Sequence, residues 1–426
     1  MTLVIFLGSL IGSMALGMPI AFALLVVSVA LMAYLDLFDA QIIAQNLLNG
    51  ADSFPLMAVP FFMLAGEVMN VGGLSKRIVN IAMALVGHKR GGLGYVAIIA
   101  SCLLASLSGS AVADAAALAA LLVPMMVLAG HNRARSAGLI AAGGIIAPVI
   151  PPSIGFIVFG VASGVSISKL FLAGIVPGIM LGVALAIAWW IVSRSEDVET
   201  PPKQSRAQVL RALVEGSWAM GLPIIIVFGL KFGIFTPTEA AVVAAVYSLF
   251  VSLVIYREMK VSQLYGVILS SAKTTSVVML LVAAAMVSSW LVTIADLPGQ
   301  LAAVLEPFMD SPTLLLVVIM LMIILVGTVM DMTPSILILT PVLMPAITQA
   351  GIDPVYFGVL FLINTAIGLI TPPVGTVLNV VSGVSKLNIE DIVRGVWPFL
   401  LAQLAVLLLL VLFPQLVLGP LKFFTG

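Results

Sequence analysis

Two short stretches rich in glycine and hydroxyl side chains interrupt an otherwise apolar sequence, one in each half of the chain. The first reads Ser106-Leu107-Ser108-Gly109-Ser110 and the second reads Gly327-Thr328-Val329-Met330-Asp331-Met332-Thr333. Hydroxyl and carbonyl oxygens are hard ligands that suit a small hard cation. Small residues also let backbones approach closely. Each stretch is therefore predicted to be the tip of a helical hairpin beside a cation.

A Pro-Pro pair also occurs in each half, at Pro151-Pro152 and at Pro372-Pro373, within sequence that would otherwise span a membrane. Proline has no amide hydrogen and leaves nearby carbonyls without partners, whereas lipid requires every backbone group to be paired internally. Two adjacent prolines predict an unwound break rather than a kink. The freed carbonyls and the hydroxyls of Ser153, Thr371 and Thr376 would then be oxygen donors at mid-membrane, where transporters hold ions and substrate.

We predict one sodium site per half, where a hairpin tip meets a broken helix. The first site lies between residues 106–110 and 144–153, and the second between 327–333 and 368–376. The predicted sodium-binding residues are Ser106, Ser108, Gly109, Ser110, Gly144, Val149, Pro151, Ser153, Gly327, Thr328, Thr333, Gly368, Thr371, Pro372 and Gly375. A carboxylate substrate is predicted between the sites, bound by Ser108, Ser153, Thr333, Thr376 and Asn379. The alternative is that glycine and serine serve only for tight helix packing.

Asp114 and Asp331 are costly to place, because a carboxylate inside a bilayer must be paired, hydrated or protonated. Each lies ten residues before a proline, Pro124 or Pro341, so we predict that they are equivalent and share a role. Three roles remain open. They are capping of the second helix of each hairpin, tuning of a sodium site without ligating the ion, and carrying a proton.

The composition places these motifs in a membrane protein. The chain has 426 residues, of which 62% are hydrophobic and 8% charged, against about 45–50% and about 25% in soluble domains. The net charge of zero gives no indication of nucleic-acid binding. The single cysteine, Cys102, excludes a disulfide framework, and no cofactor is expected beyond sodium as the coupling ion. His88 and His131 stand beside basic residues and are predicted to lie at the surface.

The pattern of apolar stretches predicts an all-α integral membrane protein with about ten to eleven transmembrane helices and two re-entrant hairpins. The hairpins are predicted at 92–130 and 312–349, and the broken helices at 136–163 and 355–384. Residues 2–35 are predicted to form two short helices broken at Gly17-Met18-Pro19. The remaining predicted spans are 54–70, 170–192, 218–233, 237–256, 275–295 and 392–420.

The two halves of the chain repeat one another. The segment around Pro151-Pro152 recurs around Pro372-Pro373, and Ser163-Gly164-Val165-Ser166 recurs as Ser382-Gly383-Val384-Ser385. Residues 1–193 are therefore predicted to be the first repeat and 218–426 the second, joined by a cytoplasmic linker at 194–217.

Charge predicts the orientation of each repeat. Lys and Arg favour cytoplasmic loops, and they flank the first hairpin, whereas acidic residues flank the second. The first hairpin is predicted to enter from the cytoplasm and the second from outside, with both termini external. Two similar halves of opposite orientation form an inverted repeat, which is a transporter architecture.

The chain resembles the large membrane subunit of the tripartite ATP-independent periplasmic (TRAP) transporters over essentially its whole length. The resemblance rests on residues 106–114, on 148–153, on Pro223 to Ala240 and on 371–375. It implies an elevator-type carrier in a bacterial or archaeal inner membrane, with a scaffold and a moving transport domain. It also implies sodium coupling, with sites at the hairpin tips and helix breaks.

The resemblance further implies two protein partners. One is a small four-helix membrane subunit, expected as a separate chain, and the other is a periplasmic substrate-binding protein. Relatives carry C4-dicarboxylates, sialic acids and other organic acids, and overall likeness favours sialic acid. Lipid is the remaining partner.

Three other functions compete with this one. A self-sufficient sodium-coupled carboxylate carrier would need no binding protein. An intramembrane aspartyl protease would use two carboxylates that share a proton, but hairpins entering from opposite faces would separate Asp114 from Asp331, so no enzyme is expected. A channel would not need paired broken helices.

Overall fold

The computed structural model describes residues 1–194, 196, 198, 200 and 202–425. Every regular element of the described residues is a helix, which makes the protein all-α. Eight helices of this part of the chain are long and apolar enough to cross a membrane. The predicted total of ten to eleven crossings and the membrane orientation of the two halves stay predictions.

The first half contains ten α-helices in the described residues. They are α1 (Thr2–Ala15), α2 (Ile20–Tyr34), α3 (Ala40–Ala51), α4 (Ala58–Val71), α5 (Leu74–Val86), α6 (Gly92–Ser108), α7 (Ala111–Leu128), α8 (Arg133–Gly144), α9 (Ile154–Ser163) and α10 (Ile167–Ser193). The break predicted at Gly17-Met18-Pro19 is confirmed, because α1 ends and α2 begins on either side of it. Proline suits this position, since it precedes the first helical residue and its missing N–H removes no helical hydrogen bond.

Ten more α-helices follow. They are α11 (Arg206–Lys231), α12 (Pro237–Phe250), α13 (Leu264–Ile294), α14 (Leu297–Leu305), α15 (Pro312–Gly327), α16 (Met332–Gln349), α17 (Pro354–Gly368), α18 (Thr376–Ser385), α19 (Ile389–Leu412) and α20 (Gln415–Thr425). The helix pairs α6–α7 and α15–α16 occupy the two predicted hairpins. The pairs α8–α9 and α17–α18 occupy the two predicted broken helices.

Several predicted boundaries are wrong. The span predicted at 392–420 is two helices, because α19 ends at Leu412 and Pro414 precedes α20. Helix α11 begins at Arg206, inside the predicted linker, so the later part of 194–217 is helical. Residues 195, 197, 199 and 201 of that linker lie outside the described residues. The short helices α3, α5 and α14 were not among the predicted spans.

The helices pack in two groups. In one, α8 packs against α7 and α19, and α10 against α6 and α19, while α15 packs against α17. In the other, α4 packs against α12, α5 against α11, and α13 against α2, α3 and α14. Contacts of α5 and α4 with α6, and of α13 and α14 with α16, connect the groups. The first group contains every hairpin and broken helix, so all predicted site residues belong to it.

The two halves follow one register. Helices α7 and α16 each have 18 residues. A constant separation of 221 residues relates Ser110 to Asp331, which precede these helices, and relates the two Pro-Pro pairs. Asn132 and Asp353, which precede α8 and α17, have the same separation.

This register corrects the predicted equivalence of the two aspartates. Asp114 corresponds to Ser335, and Asp331 corresponds to Ser110. The predicted match is displaced by four residues, close to the 3.6 residues of one helical turn. The error arose from Pro341, because α16 contains a second proline four residues later that is the true counterpart of Pro124.

His131 is buried, and its predicted surface position is wrong. Its Nδ1 atom lies 2.8 Å from Oε2 of Glu196, a side chain that is only 7% exposed. Arg135 Nη1 lies 3.3 Å from the other oxygen of Glu196, and the His131 ring packs against Trp189. Glu196 thus connects the chain after α10 to the start of α8, and its contacts with His131 and Arg135 compensate the cost of burying its carboxylate.

Candidate functional site

The tip of the first hairpin lies directly against the first helix break. Gly109 has a φ of +61°, which favours glycine. A Cβ atom added to Gly109 would lie 2.7 Å from the carbonyl oxygen of Pro152 and 3.3 Å from Cα of Ser153. The structure therefore brings residues 108–110 and 152–153 together, as predicted from the sequence.

Hydroxyl groups and one carboxylate surround this tip. Ser110 caps α7 by accepting a hydrogen bond from the Ala113 N–H. Ser108 Oγ donates to Oδ1 of Asp114 at 2.5 Å and accepts from the Ser110 N–H at 3.2 Å. The capping role predicted for Asp114 is therefore wrong, because Ser110 caps α7. Among the described residues, Oδ2 of Asp114 is buried without a hydrogen-bond partner, so one carboxylate oxygen remains for an ion or a proton.

The first break supplies further oxygens. Ser153 is fully buried, caps α9 by accepting from the Phe156 N–H, and donates to the Pro148 carbonyl at 2.5 Å. In the described part of the chain, no N–H or O–H donates to the carbonyls of Val149 or Pro151. Buried carbonyls normally have a partner, so these two oxygens are candidates for cation ligands.

Two residues predicted for the first site have other surroundings. The Ser106 hydroxyl donates to the Leu103 carbonyl of its own helix at 2.6 Å. A Cβ atom on Gly144 would lie 3.0 Å from the Ala111 carbonyl oxygen, so Gly144 allows α8 to approach α7 closely. Helix packing explains both residues.

The second hairpin also meets its own helix break. A Cβ atom on Gly368 would lie 2.7 Å from Cα of Gly327, so both glycines are needed for this approach. The hydroxyls of Thr328 and Thr371 donate to carbonyls of their own helices, Leu325 at 2.7 Å and Ile367 at 2.8 Å. These bonds are of the same kind as that of Ser106, so the approach of Gly327 to Gly368 is the observation that supports the second site.

The remaining residues of the second site are more exposed. Gly375 precedes α18 with a φ of +52°. Thr376 Oγ1 donates to Oδ1 of Asp331 at 3.5 Å, and Asn379 Nδ2 donates to the Val374 carbonyl at 3.0 Å. Asp331 precedes α16 without accepting a capping hydrogen bond on its side chain. Pro372 and Thr333 are partly exposed, and Thr333 lies in the first turn of α16.

The two predicted sites lie close together because helices of one half of the chain pack against helices of the other half. Helix α16 of the second hairpin packs against α9 of the first broken helix, and α7 of the first hairpin packs against α18. A Cβ atom on Gly155 would lie 3.1 Å from Cε of Met332. The N-termini of α7, α9, α16 and α18 thus belong to one interlocked group, and helix N-termini favour anions.

A small crevice with several polar lining residues opens beside the first tip. Its volume is ≈ 80 Å³, below the roughly 300–1,000 Å³ of typical ligand sites. Ser108, Ser110 and Ile154 line one wall, and Glu67 and Asn70 of α4 line another. Glu67 was not among the residues predicted for either site. An acidic residue within an apolar span was the available signal.

Comparisons with known proteins agree with this architecture. The family described as "Tripartite ATP-independent periplasmic transporter, DctM component" matches residues 7–416. The 2,3-diketo-L-gulonate TRAP transporter large permease protein YiaN of Escherichia coli is 59% identical over 422 residues, covering 99% of each chain. The sialic acid TRAP transporter large permease protein SiaM of Vibrio cholerae is 39% identical, covering 98% of this chain and 99% of that protein.

A third relative and a solved structure complete the comparison. The C4-dicarboxylate TRAP transporter large permease protein DctM of Pseudomonas aeruginosa is 38% identical, covering 87% of each chain. The crystal structure of the Alcanivorax borkumensis YdaH transporter has a TM-score of 0.65 at 16% identity, covering 90% of this chain and 91% of that one. The shared fold is that of a membrane transporter, and this chain belongs to the large permease subunits of the TRAP transporters.

Proposed function

We propose that this chain is the permease of a sodium-coupled importer of organic acids. The observation that carries the proposal is the oxygen-lined contact between Gly109 at the first tip and Ser153 at the first break. The contact between Gly327 and Gly368 supports a second site of the same kind.

Sodium fits the donors at the first site. Sodium is a small hard cation, and the atoms there are hydroxyl, carbonyl and carboxylate oxygens, which suit hard ions. The Val149 and Pro151 carbonyls and Oδ2 of Asp114 have no other partner among the described residues. Two sites imply at least two sodium ions per cycle.

The substrate is proposed to be a hydroxylated monocarboxylate. Relatives of this chain are named for diketogulonate, sialic acid and C4-dicarboxylates. The diketogulonate permease is 59% identical, against 39% for the sialic acid permease, so 2,3-diketo-L-gulonate or a similar six-carbon sugar acid is favoured over the sialic acid predicted from overall likeness. Bound sodium and the N-termini of α7 and α18 would together attract its carboxylate.

The transport step is proposed to be an elevator movement. The helices that carry both sites, α6–α10 and α15–α19, pack on one another, and they contact the remaining helices chiefly through α5, α13, α14 and α4. A body assembled in this way can move as a unit while its sites stay intact. Discontinuous helices beside a static group are found in transporters that expose one site alternately to each side.

The TRAP family implies two partners, a small membrane subunit and a periplasmic binding protein. We propose that the small subunit has four helices and is a separate chain that enlarges the static group. The binding protein would capture the acid in the periplasm and release it to this permease in the bacterial inner membrane.

Two of the three competing functions, the self-sufficient carrier and the protease, have less support. A self-sufficient carrier would have the same sites, and the names of the relatives favour the tripartite system. In a protease the two aspartates would share a proton. Here Asp114 accepts a hydrogen bond from Ser108 and Asp331 accepts one from Thr376, each within its own half.

Uptake into proteoliposomes tests the proposal. The vesicles contain this chain and its small subunit, and labelled 2,3-diketo-L-gulonate, sialic acid or succinate is supplied outside. Accumulation that requires both an inward sodium gradient and the cognate binding protein is the expected result. Accumulation without the binding protein would support the self-sufficient carrier, and uptake independent of sodium would contradict the proposed coupling.

A further inference from the structure

The crevice beside the first tip has an acidic wall that the proposed sodium and substrate residues do not explain. Glu67 of α4 lines it and is half-buried. Ser270 Oγ donates to Oε1 of Glu67 at 3.2 Å. Among the described residues Glu67 forms no ion pair. The Ser270 hydroxyl donates to its carboxylate, and the side chain lines the open crevice.

The wall lies close to the proposed substrate position. A Cβ atom on Gly66 would lie 3.7 Å from Cα of Ser108, which is ordinary van der Waals contact. Asn70 of α4 and Ser271 and Thr274 of α13 line the same crevice. A molecule held at Ser108 would therefore extend toward amide, hydroxyl and carboxylate groups of the other helix group.

The two sides of the crevice favour different groups on a substrate. On the hairpin side, the proposed sodium ions attract a substrate carboxylate. On the opposite wall, Glu67 repels a second carboxylate, and a like charge in a partly dehydrated site acts strongly over several ångströms. An ionised carboxylate accepts hydrogen bonds only, so Glu67 and Ser271 suit the hydroxyl groups of a sugar acid.

We propose that Glu67 is a specificity-determining residue that selects hydroxylated monocarboxylates and rejects C4-dicarboxylates. This inference rests on the proposed function of the same site, because it assumes that the substrate carboxylate is bound on the hairpin side. Rejection comes from a repulsive group as well as from lost hydrogen bonds, which is how specific sites commonly discriminate.

Inhibition from the vesicle interior tests this proposal apart from the binding protein. Vesicles that contain the permease and the small subunit are loaded with unlabelled 2,3-diketo-L-gulonate or with succinate. Sodium-driven uptake of labelled 2,3-diketo-L-gulonate is then started with external binding protein. The internal concentration of each acid that halves uptake is measured, and their ratio reports the selectivity of the permease.

Glu67→Gln keeps the size of the side chain and removes its charge. We expect the selectivity ratio to change by about tenfold in favour of succinate, as the loss of one like charge predicts. Asn70→Asp adds a charge to the same wall and should change the ratio in the opposite direction. Glu215→Gln, an exposed glutamate outside the crevice, is the matched control and should leave the ratio unchanged.

The outcomes separate the inference from the proposed function. If the wild-type protein transports the labelled acid and neither wall variant changes the ratio, Glu67 is not a specificity residue. The same conclusion follows if Glu67→Gln changes only the sodium concentration for half-maximal uptake. If the wild-type protein shows no sodium-driven uptake, the proposed function fails, and this inference fails with it.

Discussion

The first and second sites have the same components, but the first is closed and the second is open. Ser153 is fully buried and Pro151 and Pro152 are buried at the first break, whereas Pro373 and Val374 at the second break are exposed. The hydrogen bond to Asp114 is 2.5 Å long and the one to Asp331 is 3.5 Å. Two copies of one motif thus give one ordered site and one looser site.

The position of the carboxylate explains part of this difference. Ser110 caps α7, and Asp114 lies one turn further along that helix. In α16 the order is reversed, because Asp331 is at the cap position and the hydroxyl of Ser335, one turn on, bonds to the Asp331 carbonyl. A carboxylate within the helix is buried, and one at the helix start reaches solvent.

The largest effect is expected where the two broken helices are attached. Glu196→Ala removes the buried carboxylate that His131 and Arg135 contact at the start of α8 and, by leaving these groups without a partner, should lower the free energy of unfolding by about 3 kcal/mol. Asp353→Ala removes only a cap from α17 and should cost about 1 kcal/mol. Thermal unfolding of the purified protein measures both. Equal losses would show that the two attachments do not differ.

The next largest effect concerns the glycine of the first tip. Gly109→Ala must adopt a positive φ and crowd the Pro152 carbonyl, so we expect a loss of about 1–3 kcal/mol in stability and impaired uptake. Gly164→Ala is the control, because Gly164 has a φ of +73° and open space around it. Gly327→Ala, without a positive φ, should be milder. Identical losses for Gly109→Ala and Gly164→Ala would exclude a role for the crowding.

Sodium dependence should separate the two sites. Ser108→Ala removes the donor to the buried Asp114 carboxylate, and a hydrogen bond to a charged group contributes about 1.5–3 kcal/mol. We expect the sodium concentration for half-maximal uptake to rise about tenfold. Ser106→Ala, whose hydroxyl bonds within its own helix, should change it less than about twofold. An unchanged sodium dependence in Ser108→Ala would remove Ser108 from the site.

Asp114→Asn distinguishes the two roles that remain for this residue. A tuning role predicts an altered sodium concentration for half-maximal uptake at every pH. A proton role predicts that the pH dependence of uptake is lost while sodium dependence is retained. Uptake measured over a matrix of pH and sodium concentrations shows which occurs, and a variant that matches the wild-type protein in both would exclude both roles.

The smallest effects are expected at the second site. Thr376→Val removes a long hydrogen bond in an exposed place, and such contacts contribute little because water competes for both partners. Thr371→Ala should also raise the sodium requirement, by no more than about threefold, less than Ser108→Ala. Sodium titrations of uptake measure both variants. A larger effect here than at Ser108 would reverse the proposed order of the sites.

The sequence predicted the architecture well because its signals are local. Apolar length separates spans from loops, Pro-Pro pairs break helices, and glycine with serine permits a tip. The hairpins and broken helices accordingly appear where they were predicted, with boundaries displaced by a few residues. The comparisons confirmed the family that the motifs around Ser108, Pro151 and Pro372 had indicated.

Properties that depend on distant packing were not predictable. The burial of His131 depends on Glu196, 65 residues away, and neither residue has a local feature that shows it. The mismatch of Asp114 and Asp331 arose because proline spacing was compared without the helix starts. The position of Glu67 in the crevice beside the first tip depends on the packing of α4 against the first hairpin.

The sequence by itself determined that this protein spans a membrane, breaks two helices and presents two oxygen-rich tips. Composition, proline chemistry and glycine geometry act over a few residues, so they can be read directly from the chain. Tertiary structure alone decided which tip is closed, which carboxylate is buried and which helix brings Glu67 beside the first tip. Those properties depend on contacts between residues far apart in the chain, and no local pattern encodes them.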